Sequence, residues 1–237
     1  ITKTKLKSKK IEWIGDSFTA GYGNLASNLP PPSGNPSTGF HAENEDNSKA
    51  WGAIASKKLD AEYMCTVFSG RGAYRNYDNS EDGTLPKIYD LVSPDVPEIK
   101  WNFSQYQSNL VVVNLGQNDF GPETYGDVIM TDSSRYTTAY LELLEMIKNN
   151  NPNAKILITI GGGLSDYYPQ GFKRLSRSRS WKKTISKTFN NRYPNSCTTF
   201  ELSTNQPPYG EDWHPTVKSH ERMAKEAVIA IKKYMNW

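Results

Sequence analysis

Five short apolar segments, each followed by Gly, Ser or Asn, constrain the fold of this chain more than any other feature. They span residues 11–15, 63–70, 110–116, 155–163 and 197–203. The third and fourth segments are almost continuously apolar, which is typical of strands that are buried on both faces of a parallel sheet. The pattern therefore predicts a sheet whose strands are separated along the chain by longer connections.

Helical periodicity fills several of those connections. Apolar side chains recur at helical spacing in residues 48–59, 137–149 and 216–235. Strands that alternate with helices predict an α/β fold, in which helices cover both faces of a parallel sheet. A chain of 237 residues can bury one sizeable core, so we predict that residues 1–237 form a single domain.

The charge balance gives little reason to expect nucleic acid as a partner. The chain has 28 basic and 25 acidic residues and a net charge of +3. Basic residues crowd positions 173–192, which we interpret as a solvated helix face, with an anionic polysaccharide or membrane surface as the alternative. No apolar run is long enough to span a membrane, and residues 1–10 lack the apolar stretch of a signal peptide. The protein is therefore either cytosolic or has lost a leader.

A Gly-Asp-Ser turn follows the first apolar segment, in the stretch IEWIGDSFTAGYGN at residues 11–24. Such triplets are common in ordinary turns, because Asp and Ser bond to nearby amides. Here the triplet would lie at the carboxyl edge of a parallel sheet, where ligands bind in open α/β folds. Ser17 is therefore a candidate nucleophile, and it requires a base and hydrogen-bond donors for an oxyanion.

Three histidines could supply the base. His220 lies within a helical pattern and is predicted to be a surface or packing residue. His41 lies in a Pro-rich loop and has no informative spacing to a partner. His214 directly precedes a proline that marks a helix start, and Glu211 and Asp212 are close enough in sequence to orient its second ring nitrogen. His214 is thus the candidate base, with Glu211 or Asp212 as the candidate that orients it.

Donors for the oxyanion are predicted at two other strand ends. Asn118 lies in the motif NLGQND, directly after the most apolar segment, and its side-chain amide can donate to an oxyanion. The motif SGRG at residues 69–72 offers backbone amides from Gly72 or Gly70. Both motifs are also compatible with simple turns, so they gain weight only together with Ser17.

Together these blocks resemble the SGNH, or GDSL-like, hydrolase family, in which Ser, Gly, Asn and His follow in this order. The segments KIEWIGDSFTAGYGN, SGRGAYRNYDNS, VVVNLGQNDF and DWHPTVKSHERMA look most like carbohydrate esterase family two, which removes acetyl groups from plant polysaccharides. The resemblance implies that Ser17 attacks the acetyl carbonyl and that His214 is the general base and acid. It also implies an oxyanion hole of the Ser17 and Gly72 amides with the Asn118 side chain.

The same resemblance implies a three-layer α/β/α sandwich with a flavodoxin-like parallel sheet of strand order 2-1-3-4-5. That order places Cys65 and Cys197 on opposite edge strands, so two free thiols are expected. Many family members carry Asp three residues before the histidine, where this chain has Glu211, so the resemblance implies Glu211 as the third catalytic member. Some members orient the histidine through a backbone carbonyl instead, which leaves Asp212 and a carbonyl as alternatives.

The resemblance also bears on partners and location. The expected substrate is an acetylated polysaccharide or oligosaccharide, with Asp16 and Trp213 as candidate contacts, although packing under a loop is the alternative role for Trp213. No cofactor, metal, nucleic acid or membrane is expected, and the protein is expected to be secreted. A β-sandwich is usual before the catalytic domain in family two and is absent from these 237 residues.

Three other interpretations compete with this one. Residues 21–26, GYGNLA, fit a loose dinucleotide fingerprint, but a Pro-rich loop follows where its helix should begin. The chain could instead be a non-catalytic carbohydrate-binding member of the same fold. It could also be an esterase or lipase that acts on small acyl esters.

Overall fold

A computed structural model of the chain describes residues 6–26, 37–124 and 128–237. Its sheet contains the strands β1 (Lys9–Gly15), β2 (Ala61–Val67), β3 (Leu110–Asn114), β4 (Lys155–Gly161) and β5 (Cys197–Leu202). All neighbouring pairs are parallel and the order is β2-β1-β3-β4-β5. The predicted fold class and strand order are confirmed. That residues 1–237 form a single domain stays a prediction.

Helices cover both faces of this sheet. They are α1 (Ser17–Ala20), α2 (Trp51–Lys58), α3 (Leu85–Ile88), α4 (Ser133–Asn150), α5 (Arg174–Arg192) and α6 (Val217–Met235). One core contains buried residues of α2 and α6 with Trp13 and Val112, and the other contains residues of α4 and α5 with Val111 and Ile158. Successive side chains of the strands therefore point to opposite faces of the sheet and pack in two separate cores, as a three-layer sandwich requires.

The carboxyl ends of β1 and β3 lie side by side, with Gly15 paired to Asn114. The chain turns sharply there, since a Cβ on Gly15 would collide with the Thr19 side chain. Ser17 lies two residues after the end of β1, and Asn118 lies four residues after the end of β3. Connections from these two central strands run to opposite sides of the sheet, and such a switch point is where open α/β sheets bind ligands.

The predicted solvated basic face of residues 173–192 is wrong for three of its members. Lys182 of α5 is buried and donates to the carbonyls of Leu115 at 2.7 Å and Thr159 at 2.9 Å. Burial lowers the pKa of Lys182 to about 8. Arg177 pairs with Glu123, and Arg179 pairs with Glu201. The acidic and carbonyl partners come from other elements, so the local sequence could not show them.

The cysteine prediction is confirmed, since Cys65 on β2 and Cys197 on β5 are both unpaired and lie on the two edge strands. Residues 21–25 form turns, while the helix that a dinucleotide site would need falls on residues 27–36, outside the described residues. Within the described part of the chain, every helix is too short or too polar to cross a bilayer.

Candidate active site

The candidate nucleophile lies at the first position of α1. Asp16 caps this short helix by accepting a hydrogen bond from the Phe18 amide at 3.1 Å. Ser17 itself is 7% exposed. Because the first amides of a helix have no acceptor within it, the Ser17 N–H is available, and we find no acceptor for it among the described residues. The sequence thus places a hydroxyl and a free amide at one strand end.

His214 lies against this hydroxyl, with Nε2 2.8 Å from Ser17 Oγ. Its other ring nitrogen, Nδ1, lies 3.0 Å from the backbone carbonyl oxygen of Glu211. A carbonyl oxygen can only accept, so Nδ1 must carry the hydrogen in this contact. The neutral ring then presents a lone pair on Nε2 to the Ser17 hydroxyl, which is the arrangement a general base needs.

The surroundings of His214 keep its ring neutral. The ring stacks on Tyr22, with centroids 4.2 Å apart, and lies 5.2 Å from the ring of Phe18. Burial lowers the pKa of His214 to about 4, although the Glu211 carbonyl acts in the opposite direction. At neutral pH the imidazole is therefore ready to accept a proton.

Neither carboxylate before His214 orients its ring. The Glu211 carboxylate accepts from Nδ1 of His41 at 2.6 Å and from Nδ2 of Asn44 at 2.7 Å, and the Asp212 carboxylate accepts from the Tyr22 hydroxyl at 2.6 Å. The prediction of a carboxylate as the third member is wrong for both residues, and the alternative of a backbone carbonyl holds. Sequence spacing shows that residue 211 is near the ring, but not which of its groups faces it.

One of the predicted oxyanion donors, the Gly72 amide, is not available to an oxyanion. The Gly72 amide donates to Oδ1 of Asn76 at 3.2 Å, inside the loop, so it does not point into the cleft as predicted. Gly70, the alternative, has φ +79°, and its N–H has no acceptor among the described residues. The structure therefore favours Gly70 as the donor. Asn118 Nδ2 donates to the Arg71 carbonyl at 2.9 Å, which places it beside this loop.

Asp16 is not a substrate contact, contrary to the prediction, because it is buried beneath the site with 1% exposure. Its carboxylate accepts from Nδ2 of Asn118 at 3.3 Å and lies 3.4 Å from Nε2 of Gln117. Burial raises the pKa of Asp16 to about 7. Asp16 therefore joins the turn after β1 to the turn after β3, and it acts on the site through Asn118.

Asp119 is a site residue that the sequence analysis missed. It is buried, and its carboxylate accepts from the backbone amides of Ala73 and Tyr74 at 2.8 Å each and of Arg75 at 3.3 Å. These bonds attach residues 72–75 to the turn after β3. A signal was present, since Asp119 directly follows Asn118 in the motif NLGQND.

The remaining candidates lie at the rim or away from the site. Trp213 is 46% exposed beside the base, and Tyr167 and Tyr168 are exposed after β4. His220 is buried and accepts from the Trp51 amide at 3.3 Å, so of the two predicted roles, surface or packing, it has the packing role. Among residues 6–26, 37–124 and 128–237, no group of three or more His, Cys, Asp or Glu side chains could hold a metal ion.

The chain is similar over nearly its whole length to curated carbohydrate-active proteins. The chain is 29% identical over 237 residues to the cellulase/esterase CelE of Acetivibrio thermocellus, covering 97% of this chain and 26% of CelE. It is 25% identical over 240 residues to an acetylxylan esterase / glucomannan deacetylase of Cellvibrio japonicus, covering 98% of this chain and 59% of the relative. The chain thus spans about a quarter and about three fifths of these two curated relatives.

Solved structures show the same fold over nearly the whole chain. A family two carbohydrate esterase from Clostridium thermocellum, in complex with cellohexaose, matches with a TM-score of 0.85 and 28% identity, covering 100% of this chain and 67% of that one. A family two carbohydrate esterase from Cellvibrio japonicus matches with a TM-score of 0.82 and 24% identity, covering 100% and 64%. The predicted resemblance to family two is confirmed.

The match to a family model covers most of the chain and all of the assembled site. It extends over residues 11–227, which include Ser17, Asn118 and His214, and its description is GDSL-like Lipase/Acylhydrolase. The chain belongs to the GDSL-like lipase/acylhydrolase family.

Proposed function

We propose that this chain is a serine esterase that removes O-acetyl groups from plant cell-wall polysaccharide or oligosaccharide. The observation that carries the proposal is the 2.8 Å contact between Ser17 Oγ and His214 Nε2, with Nδ1 held by a carbonyl. A hydroxyl that donates to a neutral, oriented imidazole is an activated nucleophile. The named activities of the curated relatives, esterase and acetylxylan or glucomannan deacetylation, support the acetylated carbohydrate as substrate.

The proposed reaction has two acyl-transfer steps. Ser17 Oγ attacks the acetyl carbonyl carbon while its proton passes to His214 Nε2. The oxyanion accepts hydrogen bonds from the Ser17 and Gly70 amides and from Asn118 Nδ2, which exchanges its 3.3 Å contact with Asp16 for this bond. His214 then donates the proton to the sugar oxygen, and the C–O bond breaks. Water attacks the acetyl-enzyme with the same base, which releases acetate and restores the Ser17 hydroxyl.

The exposed aromatic side chains at the rim suit a sugar substrate. Trp213 adjoins the base and is 46% exposed, and Tyr167 and Tyr168 are exposed at the end of β4. We propose that Trp213 contacts the sugar ring and that the protein acts outside the cell, where such polymers occur. Catalysis in this scheme uses side chains and backbone amides of the chain itself, with no cofactor.

The test compares the wild type with Ser17→Ala on 4-nitrophenyl acetate and on acetylated xylan and glucomannan. The variant should lose at least about 10⁴-fold in kcat on every ester, since removing a nucleophile has effects of this size. Ser203→Ala is a matched control, because Ser203 is an exposed serine at the end of β5. Circular dichroism should show the same fold for all three proteins.

The outcomes separate the alternatives. Turnover by Ser17→Ala equal to that of the wild type would contradict the proposal. Hydrolysis of 4-nitrophenyl acetate without acetate release from either polymer would favour an esterase of small acyl esters. Polysaccharide binding by a wild type that hydrolyses no ester would favour a non-catalytic binding protein.

A further inference from the structure

A loop distant in sequence holds the turn that carries His214. This loop, residues 37–44, is called the clamp loop below. Glu211 Oε1 accepts from His41 Nδ1 at 2.6 Å and from Asn44 Nδ2 at 2.7 Å, while Oε2 accepts from the His41 amide at 3.2 Å. The Glu211 side chain is fully buried. Both oxygens of a buried carboxylate are therefore bound to the clamp loop.

The Asp212 carboxylate, the next along the chain, is also bound to the clamp loop. Asp212 Oδ1 accepts from the Thr38 amide at 3.0 Å and from the Gly39 amide at 3.2 Å. Its Oδ2 accepts from the hydroxyl of Tyr22 at 2.6 Å. The ring of Tyr22 in turn stacks on His214. Two consecutive carboxylates thus fix the turn to the clamp loop and to the residue stacked on the base.

The backbone of this turn explains why it needs such support. Asp212 has φ +46° and Trp213 has φ +62°. Both are left-handed conformations that side chains other than Gly rarely adopt. Residues in such conformations persist only where the surrounding structure determines them strongly. The hydrogen bonds from the clamp loop to Glu211 and Asp212 hold the backbone of the turn in this conformation.

Residue 211 contacts His214 through a single atom, its backbone carbonyl oxygen. The Glu211 carbonyl accepts from the His214 amide at 2.9 Å and also from Nδ1 of the same residue at 3.0 Å. Both contacts depend on the direction of the 211–212 peptide. If that peptide rotates, the ring loses the acceptor that fixes its tautomer and its approach to Ser17.

We propose that Glu211, Asp212 and His41 are positioning residues: the two carboxylates anchor the turn to the clamp loop, which aims the Glu211 carbonyl at Nδ1 of His214. The inference rests on the proposed function for its catalytic consequence. It assigns the carboxylates no direct contact with the imidazole, and it gives His41 a role that acts through Glu211.

The experiment uses four variants of the full chain. His41→Ala removes the Nδ1 donor to Glu211, and His41→Asn restores a donor of similar reach. Glu211→Gln replaces the buried carboxylate that accepts from His41 by a neutral amide. The double variant His41→Ala/Glu211→Gln completes a double-mutant cycle for this pair. Glu43→Ala is the matched control, because Glu43 is an exposed carboxylate in the same loop.

Steady-state kinetics with 4-nitrophenyl acetate should separate the variants that break the His41–Glu211 contact from those that keep it. His41→Ala should lower kcat about tenfold while KM stays within about twofold, because a displaced base slows chemistry rather than binding. His41→Asn should recover most of this loss, and Glu43→Ala should match the wild type. The double variant should be no slower than the slower single variant, since both changes break one connection.

A second readout needs no catalysis. Nitrogen-15 labelled wild type should show a ring N–H signal of His214 that is protected from exchange, assigned by its loss in His214→Gln. This signal should disappear in His41→Ala and persist in Glu43→Ala. Unchanged kcat and an intact signal in His41→Ala would overturn the inference, as would multiplicative losses in the double variant. If the wild type hydrolyses no ester, the proposed function fails, and the N–H signal alone decides the inference.

Discussion

The two halves of the site are held in different ways. Ser17 lies two residues beyond the end of β1, and Asn118 lies four residues beyond the end of β3. Their neighbours in sequence, Asp16 and Asp119, hold the connecting turns. His214 instead follows a strained turn whose partners lie about 170 residues earlier in the chain. The proposed nucleophile and oxyanion donors therefore depend on the sheet edge, whereas the proposed base depends on tertiary contacts between loops.

The nucleophile half should be the most sensitive to single substitutions at its donors. Asn118→Ala removes the side-chain donor to the oxyanion and should lower kcat about 10²- to 10³-fold, because such donors act only on charge that develops in the transition state. KM should change little. Steady-state kinetics with 4-nitrophenyl acetate provide the measurement.

The control for this prediction is Asn149→Ala, since Asn149 is an exposed amide on α4. It should leave kcat unchanged. A loss of less than about threefold in Asn118→Ala, far below the effect of removing an oxyanion donor, would remove Asn118 from the oxyanion hole and weaken the contrast between the two halves.

Asp16→Asn should have the next largest effect. If the oxygen of the new side chain keeps the hydrogen bond from the Phe18 amide, its NH2 group faces Nδ2 of Asn118. This half-buried donor then loses its acceptor, at a cost of at most about 1–3 kcal/mol. We expect kcat to fall about tenfold to hundredfold. Kinetics together with the melting temperature check this result. A fall in melting temperature with unchanged kcat would show that Asp16 supports the fold and does not position Asn118.

The pH dependence of kcat/KM tests the base half. Burial lowers the pKa of His214 from 6.5 to about 4, and only the neutral ring can accept the Ser17 proton. Activity should therefore rise through about pH 4 and level off above pH 5, with about a tenfold loss at pH 3. A rise centred near pH 6.5 would contradict the buried, neutral base.

The fold must be followed in the same titration. His214 binds a proton at a lower pH in the folded chain than in the unfolded chain, so protonation of the unfolded state destabilises the fold as pH falls from 6.5 to about 4. Tryptophan fluorescence at each pH separates loss of the fold from protonation of the base.

The smallest effect is expected at Tyr22. Tyr22→Phe keeps the ring stacked on His214 and removes the hydrogen bond to Asp212, so kcat should fall about threefold, in keeping with the net value of one hydrogen bond. Tyr193→Phe is a matched control, because the Tyr193 hydroxyl donates to the Glu145 carboxylate at 2.7 Å, outside the site. Equal kcat in both variants would show that Asp212 does not need Tyr22.

The same contrast decides what could be predicted from the sequence. The parallel sheet could be predicted from the residues, because strand ends are visible as apolar runs that stop at Gly, Ser or Asn. The strand order and the grouping of Ser17, Asn118 and His214 into one site came from the resemblance to the SGNH hydrolase family. The preference for Gly70 over Gly72 as the proposed oxyanion donor could not be predicted, since it depends on which amide donates to the Asn76 side chain.

Roles that depend on distant partners were equally hidden. The Glu211 carboxylate was expected on the imidazole, but its partner is His41, which has no fixed spacing to Glu211 that a motif could reveal. Lys182 was expected on a solvated face, but its partners are two carbonyls at the ends of β3 and β4. Local patterns report which residues are near an edge, and tertiary contacts determine which atom faces which.

Covalent labelling tests most directly whether Ser17 is an activated nucleophile. The protein is treated with an organophosphorus fluoridate that phosphorylates activated serines, and its peptides are mapped by mass spectrometry. We expect one adduct on Ser17, loss of activity in proportion to labelling, and no adduct in Ser17→Ala. Complete inactivation with Ser17 unmodified, or an adduct on a different residue that persists in Ser17→Ala, would contradict the account.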